Sequence, residues 1–462
     1  MDRGNVGADT YFRLPERTEV MILHIACMSM SWFIILPLAV MLSIAHSRFR
    51  LHMQLLFAIT NTMGIVFGSV YDHVTPNLYE GEKHGLVGWM STFVAFGWVG
   101  GSMITTLPCR TRSTQSQDIQ TADVSHDLDN GVCGEDRHSL LGHTGIDSFL
   151  WGRFSFLSRF ERTLRAARIT TAILCRLILL FGYLSFATGV IVYSGIFQGR
   201  SIFNGLAHFI KGSIFLWYGL LMFGRWMGCF AEFGWAWNER PPHNLATRWQ
   251  FMIPSAELLE SAVIALYGAS NVWLEHLSNP GGEWSPSDLE HVSIAVMFFG
   301  GGTLGVLIES KITHMHNRGS HPMNPMPAIV IYILGSIMST HHQSSKVSAM
   351  LHMQWGNLFM GFSFARIATY VILYRMPSKW YLPQRPPTEF ISSFCLLTGG
   401  IILMLSNRDT FEALEDNSLD AMFIFSITTG CTALLMAWTA VCLAISMGKR
   451  RNPLGALHST DM

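Results

Sequence analysis

Residues 21–45 read MILHIACMSMSWFIILPLAVMLSIA, without a single Asp, Glu, Lys or Arg. A hydrocarbon layer about 30 Å thick is crossed by roughly 20 mostly apolar residues in a helix. This stretch is long enough, and the rest of the chain repeats it. Apolar segments recur near 20–45, 52–73, 84–106, 170–196, 205–228, 252–274, 289–308, 326–340, 347–374, 388–407 and 419–447. The sequence therefore predicts an all-α, polytopic transmembrane helical bundle of about eleven spans, the eighth being the shortest.

Composition agrees. Half of the 462 residues are hydrophobic and 13% are charged, about half the usual charged share of a soluble domain. The natural partner of such a chain is the lipid bilayer. Lys and Arg balance Asp and Glu at 31 each, and no basic stripe with interleaved aromatics occurs, so no nucleic-acid partner is expected. Of the eight cysteines, six lie in or beside apolar runs, while Cys109 and Cys133 fall in or at the edge of a polar insert. They form neither a disulfide framework nor a CxxC metal site. No GxSxG, HExxH or P-loop is present, and GGGTLG at 300–305 lies inside an apolar span, where it reads as helix packing.

Five regions follow. Residues 1–19 are a polar segment without the apolar core of a cleavable signal peptide. Three spans fill 20–106. The insert 107–169 is rich in Ser, Asp and Gly at its centre, which reads as disordered. Its end, WGRFSFLSRFERTLRAAR, interleaves apolar and basic residues like an interfacial amphipathic helix. About eight spans fill 170–447, and 448–462 is a tail. Threading eleven spans alternately leaves 20 Lys and Arg in the loops and ends of one face and seven in those of the other. The positive-inside tendency makes the first face cytoplasmic, which places the N-terminus outside and the C-terminus in the cytosol.

This topology gathers histidines. His24, His73, His84, His208, His276, His291, His341, His342 and His352 all fall at span ends on the non-cytoplasmic face. Neutral imidazole is the commonest metal ligand and a usual axial ligand of haem iron, while methionine sulfur suits copper or low-spin haem. The stretch MSTHHQSSKVSAMLHMQWG, 338–356, brings His341, His342, His352, Met350 and Met353 together as candidate ligands for copper or iron. A glycine follows three of the histidines at i+4: Gly88 after His84, Gly212 after His208 and Gly356 after His352. Such a glycine leaves room either for a flat macrocycle or for a close helix crossing. Interfacial histidines that bond lipid or backbone are the plainer alternative.

Ionisable groups inside spans are costly and mark partners or pathways. Arg225, Glu257, Glu260 and Arg366 all lie towards the cytoplasmic side, where they can form a structural ion pair across helices or line a proton or ion path. Lys211 stands one turn from His208, placed to meet a haem propionate or to snorkel outward.

Long motifs, among them LHMQLLFAITNTMGIVFGSVYDHVTPNLYEGEKHGLVGW, GLAHFIKGSIFLWYGLLMFGRWMGCFAEFGWAWNERP and DLEHVSIAVMFFGGGTLGVLIES, closely resemble the fungal family called "yeast putative transmembrane protein". The resemblance covers about 20–106 and 166–450. It implies a membrane architecture and the secretory or plasma membrane, but no established activity. It also implies a hydrophobic secretory signal at the start, which residues 1–19 lack. The first three spans are similar, in addition, to the core of the ascorbate-reducible transmembrane cytochromes b, with His24 and Trp32, His52 and Gln54, and His84 and Gly88 in the corresponding order. That likeness implies haem b with His24 and His84 as one axial pair. It departs at His52, whose partner would be His208, on the opposite face.

Three functions remain open. The chain is a membrane oxidoreductase or electron carrier holding haem b or a redox metal through His24 and His84, with His208, His291 and His352 as a second ligand set and a redox partner to match. Alternatively it is a metal or proton transporter, with the His and Met cluster as entry and Glu257, Glu260 and Arg366 lining the passage. The third reading is a structural or trafficking protein without a cofactor.

Overall fold

The computed structural model describes residues 10–14, 17–120, 147–199, 202–240, 250, 252–274, 284, 286–310, 323–343, 345–377 and 381–447. Among the described residues every regular element is helical. We number the main helices α1 (Thr18–Ile44), α2 (Arg50–Val74), α3 (His84–Gln120), α4 (Asp147–Ser194), α5 (Ile202–Met227), α6 (Ala256–Leu274), α7 (Pro286–Glu309), α8 (Met326–Thr340), α9 (Lys346–Arg375), α10 (Pro387–Leu405), α11 (Arg408–Asp416) and α12 (Ala421–Met447).

All eleven apolar segments are helices. Nine of them, among the described residues, are long and apolar enough to cross a membrane. The other two are α6, which carries Glu257 and Glu260, and α8, whose 15 residues extend only about 22 Å at 1.5 Å each. Phe93 and Leu434 remain 70% and 73% exposed. Apolar surface of that kind is a liability in water and is at home against lipid tails. The chain is an integral membrane protein.

The helices divide into two compact units, Met1–Gly195 with Ile445–Met462, and Ile196–Ala444. In the first, α1 to α4 pack around Trp32, Leu36, Phe57, Trp98 and Ile178. The fourth helix, grouped from the sequence with the C-terminal spans, packs here against α3. Helix α1 widens to a π-turn over Met30–Ile35. Pro37 has no N–H to offer the carbonyl one turn back, and the Leu36 N–H reaches Ser31 O instead. The wider turn carries Trp32, whose Nε1 donates to Asn61 Oδ1 of α2 at 2.9 Å.

Two boundaries differ from the sequence reading. The backbone of α3 stays helical to Gln120, beyond the expected end at 106. Helix α4 begins at Asp147, so the basic amphipathic stretch 151–168 continues directly into the fourth span. A helix satisfies its own backbone hydrogen bonds and does not have to stop where the apolar residues do. In the insert 107–169, whose centre is expected to be disordered, the residues up to 120 belong to α3, and 121–146 lie outside the described residues, as do most of 1–19 and all of the tail 448–462.

In the second unit α10 packs on α5, α6 on α7, α8 on α9 and α9 on α10. Residues 408–416, read as loop, form the short helix α11. Asn407 caps it: its Oδ1 accepts from the Thr410 N–H at 3.1 Å, and its Nδ2 donates to Met404 O at 2.9 Å. Asn407 is itself buried. Asn407→Ala is expected to lower stability by about 1–2 kcal/mol, read as an earlier thermal melt of the detergent-purified protein with faster proteolysis around 407–420. An unchanged melt would show that the cap is redundant.

Candidate functional site

The second unit encloses a cavity of about 920 Å³, at the upper end of the usual size of ligand sites. His208 and Lys211 of α5, His291 of α7, His341, His352 of α9 and Arg408 of α11 line it towards the ends of their helices. Apolar and aromatic side chains such as Phe215, Phe298 and Trp355 form its walls. Deeper in, it reaches Tyr218 of α5 and Glu260 of α6. His208 and Arg225 are separated by about 25 Å along α5 at 1.5 Å per residue.

Two histidines meet inside this cavity. The His208 and His352 rings lie 6.0 Å apart, centre to centre, with planes at 84°. His352 is buried, and its Nδ1 donates to Ser348 O, 2.9 Å away. Because a carbonyl only accepts, Nδ1 carries the proton and Nε2 keeps its lone pair, the state of a ligand.

The first unit holds a comparable pair. His24 of α1 and His84 of α3 stand 6.4 Å apart with planes at 82°. His24 Nδ1 donates to Gly64 O at 2.8 Å, and His84 Nδ1 lies 3.1 Å from Thr188 Oγ1. Glycines make room for both rings. A Cβ at Gly68 would stand 2.6 Å from His24 Nδ1, and one at Gly189 3.1 Å from His84 Cε1. Imidazoles that bind one metal at about 2 Å from each nitrogen have ring centres roughly 6 Å apart. Among the described residues no three His, Cys, Asp or Glu converge as a metal-binding group. Each pair offers two nitrogen donors, and a macrocycle that brings four nitrogens of its own is the kind of group that asks only two of the protein.

The proposed cluster at 338–356 does not assemble. His352 faces the cavity and His341 lines it 3.6 Å from Glu290 Oε2, but His342 is exposed, Met353 is 44% exposed, and Met350 packs against the apolar core. Successive helical residues are rotated by about 100°, so sequence neighbours face different ways. The i+4 glycines divide as well. A Cβ on Gly88 would meet nothing within 4 Å, whereas one on Gly212 would stand 2.5 Å from Gly400 O, and one on Gly356 2.6 Å from Gly335 O. The latter two permit close helix crossings. His52 and His73 are exposed, and His276 lies outside the described residues.

The four charged residues, for which the sequence left an ion pair or a proton or ion path open, lie in contact. Arg225 Nη2 lies 2.9 Å from Glu257 Oε1 and Nη1 2.8 Å from Glu260 Oε1; Arg366 Nη1 lies 3.6 Å from Glu260 Oε2. The network has a further member that the sequence reading missed. Glu389 of α10, fully buried, has Oε1 3.0 Å from Arg366 Nε. It sits in the first turn of α10, where a glutamate is ordinarily read as favourable to the helix dipole. The Trp237 ring packs against both guanidinium groups, 4.5 Å from Arg225 Cζ and 5.0 Å from Arg366 Cζ. An unpaired ion in such a place costs several kcal/mol, while a helix N-terminus supplies about 2 kcal/mol at best.

Comparison with known proteins places this architecture. The family described as "Protein YTP1-like, C-terminal" matches residues 181–447, and a domain of unknown function, DUF2427, matches 6–105. An uncharacterized membrane protein of Schizosaccharomyces pombe is 33% identical over 91% of this chain and 93% of its own length. An uncharacterized membrane protein of Saccharomyces cerevisiae is 39% identical over 56% of this chain and 44% of its own length. Protein YTP1 of Saccharomyces cerevisiae is 25% identical over 41% of this chain and 39% of its own length. No solved structure matches.

Proposed function

Because the chain belongs to the fungal YTP1-like family of membrane proteins, we propose that it is a membrane electron carrier of the secretory pathway or plasma membrane that holds haem b between paired histidines. The observation that carries this reading is the recurrence, once in each unit, of two nearly perpendicular imidazoles about 6 Å apart. His24 with His84 would hold one haem and His208 with His352 another. His208 and His352 line a cavity of about 920 Å³, in which Lys211 would offer a cation to the carboxylates of a large planar ligand; Arg408, also in the lining, is paired with Glu412. Haem held in this way would supply one-electron exchange. The Nδ1 contacts of His24, His84 and His352 favour the tautomer whose Nε2 bears the lone pair, and apolar walls surround the pair in the second unit. The reading counts α6 and α8 as spans beside the nine, with the N-terminus outside and a redox partner on that side.

An absorption spectrum of the detergent-purified protein, oxidised and then dithionite-reduced, is the test. Sharp reduced bands are expected, diminished by His84→Ala and by His352→Ala separately and abolished in the double variant. A colourless protein from haem-replete cells would sink the proposal.

A second reading rests on the depth of the cavity. It connects histidines to Glu260 within one unit, as a metal or proton transporter requires. Uptake into vesicles reconstituted with the protein tests it: transport lost in Glu260→Gln supports it, and no uptake above empty vesicles rejects it.

A further inference from the structure

At the floor of the cavity the charges do not balance. Arg225 and Arg366 contact Glu257, Glu260 and Glu389, two guanidinium groups against three carboxylates. The side chains of Arg225, Arg366, Glu260 and Glu389 are 2%, 1%, 6% and 0% exposed, while Glu257 keeps 18%. Arginine does not lose its proton in a protein, so full ionisation of the carboxylates leaves one negative charge in excess. Helix N-termini assist Glu257 in the first turn of α6 and Glu389 in the first turn of α10. That assistance is smaller than the cost of an uncompensated buried ion.

The hydrogen bonding points the same way. Among the described residues no donor is well aligned on Glu260 Oε2 or on either oxygen of Glu389, all buried, although the Tyr218 hydroxyl stands near Glu260 and Thr369 near Glu389. Arg366 Nε is close to Glu389 but not aligned to donate. The Tyr218 hydroxyl is likewise buried, with Glu260 as its nearest acidic neighbour. Buried carboxylate oxygens that lack aligned donors, in a network with more carboxylates than cations, are where a carboxylic acid, which brings its own O–H, is favoured over a carboxylate.

We propose that this network binds one dissociable proton, shared between Glu260 and Glu389, and that Glu260 exchanges it with the cavity. Glu260 is the member of the network that lines the cavity. It is faced by Tyr218 and Arg225 from α5, Glu257 from its own helix, and Arg366 and Tyr370 from α9. Glu389 on α10 lies across Arg366, beside Thr369. On α7, Glu309 accepts from Ser255 Oγ at 2.8 Å and adds a further acidic group near the base of the network. The assignment does not depend on haem. Any occupant that changes the charge of the cavity would take up or release this proton as it binds.

Infrared spectroscopy of the full-length protein in detergent, titrated with acid and base, tests it. A carbonyl stretch from a buried, protonated carboxyl is expected near neutral pH, shifting in heavy water and vanishing at high pH. Glu389→Gln and Glu260→Gln each restore a two-to-two balance, so either one alone is expected to abolish the band. Absence of the band from the wild-type protein at every pH at which it stays folded would overturn the proposal, whether a metal cation or the helix ends supply the balance. A band that survives in both variants belongs to another carboxyl and would overturn it equally.

Discussion

Arg366→Met is expected to cost roughly 3–5 kcal/mol of stability, the usual consequence of removing one partner from a buried ion pair. Arg366 is 1% exposed and stands between Glu260 and Glu389, with its guanidinium against the rings of Trp237 and Phe362. Methionine fills much of its volume but leaves Glu389 without a cation and Glu260 with Arg225 alone. The detergent-purified variant is expected to melt well below the wild type, or to lose its single peak on size exclusion. Adding Glu260→Gln and Glu389→Gln leaves only the Arg225–Glu257 pair charged and is expected to recover most of the loss. If Arg366→Met melted with the wild type, the network would be a passive ornament of the fold. If the triple variant failed to recover, shape and not charge would be the function of Arg366.

Gly212→Ala and Gly88→Ala are expected to move stability in opposite directions, although both glycines follow a histidine at the same spacing. At Gly212 the added methyl would stand 2.5 Å from Gly400 O, 2.5 Å from Met404 Cγ and 2.8 Å from the Met404 N. Two of these contacts are with backbone, so α5 and α10 must separate, and the overpacking costs about 1–3 kcal/mol or more. At Gly88 the methyl meets nothing within 4 Å, and alanine is the better helix former by about 1 kcal/mol. Parallel thermal melts decide the matter. A neutral Gly212→Ala would mean that the crossing of α5 and α10 is looser than described.

The glycine pair shows where the sequence stops informing. Spacing places Gly88, Gly212 and Gly356 one turn from a histidine, but it does not say what lies across the helix from each. His24 and His84 were candidates as a pair from the order of residues on three successive helices, and their rings do stand 6.4 Å apart. The meeting of His208 with His352 was legible only as membership of a larger set, since α5 and α9 are separated by more than a hundred residues and three other helices. Glu389 was invisible for a related reason. A glutamate in the first turn of a helix has an adequate local explanation, and its partner Arg366 stands on the preceding helix with no spacing rule to connect them.

What the sequence determined by itself is the class and the course of the chain: helices at eleven places, nine of them, among the described residues, long and apolar enough to cross a membrane, and candidate residues placed along them. Hydrophobicity and length settle these because lipid demands that each helix satisfy its own backbone and present apolar side chains along about 20 residues. What the tertiary structure alone decided is which faces turn inward. The fourth helix joined the first three, Met353 turned outward while His352 turned into the cavity, and three carboxylates converged on two arginines. The reason is physical: in lipid, apolar surface does not by itself drive one helix to another, so close packing at glycines and buried polar contacts select the partners. Both depend on the rotation of every helix about its axis, which no single segment encodes.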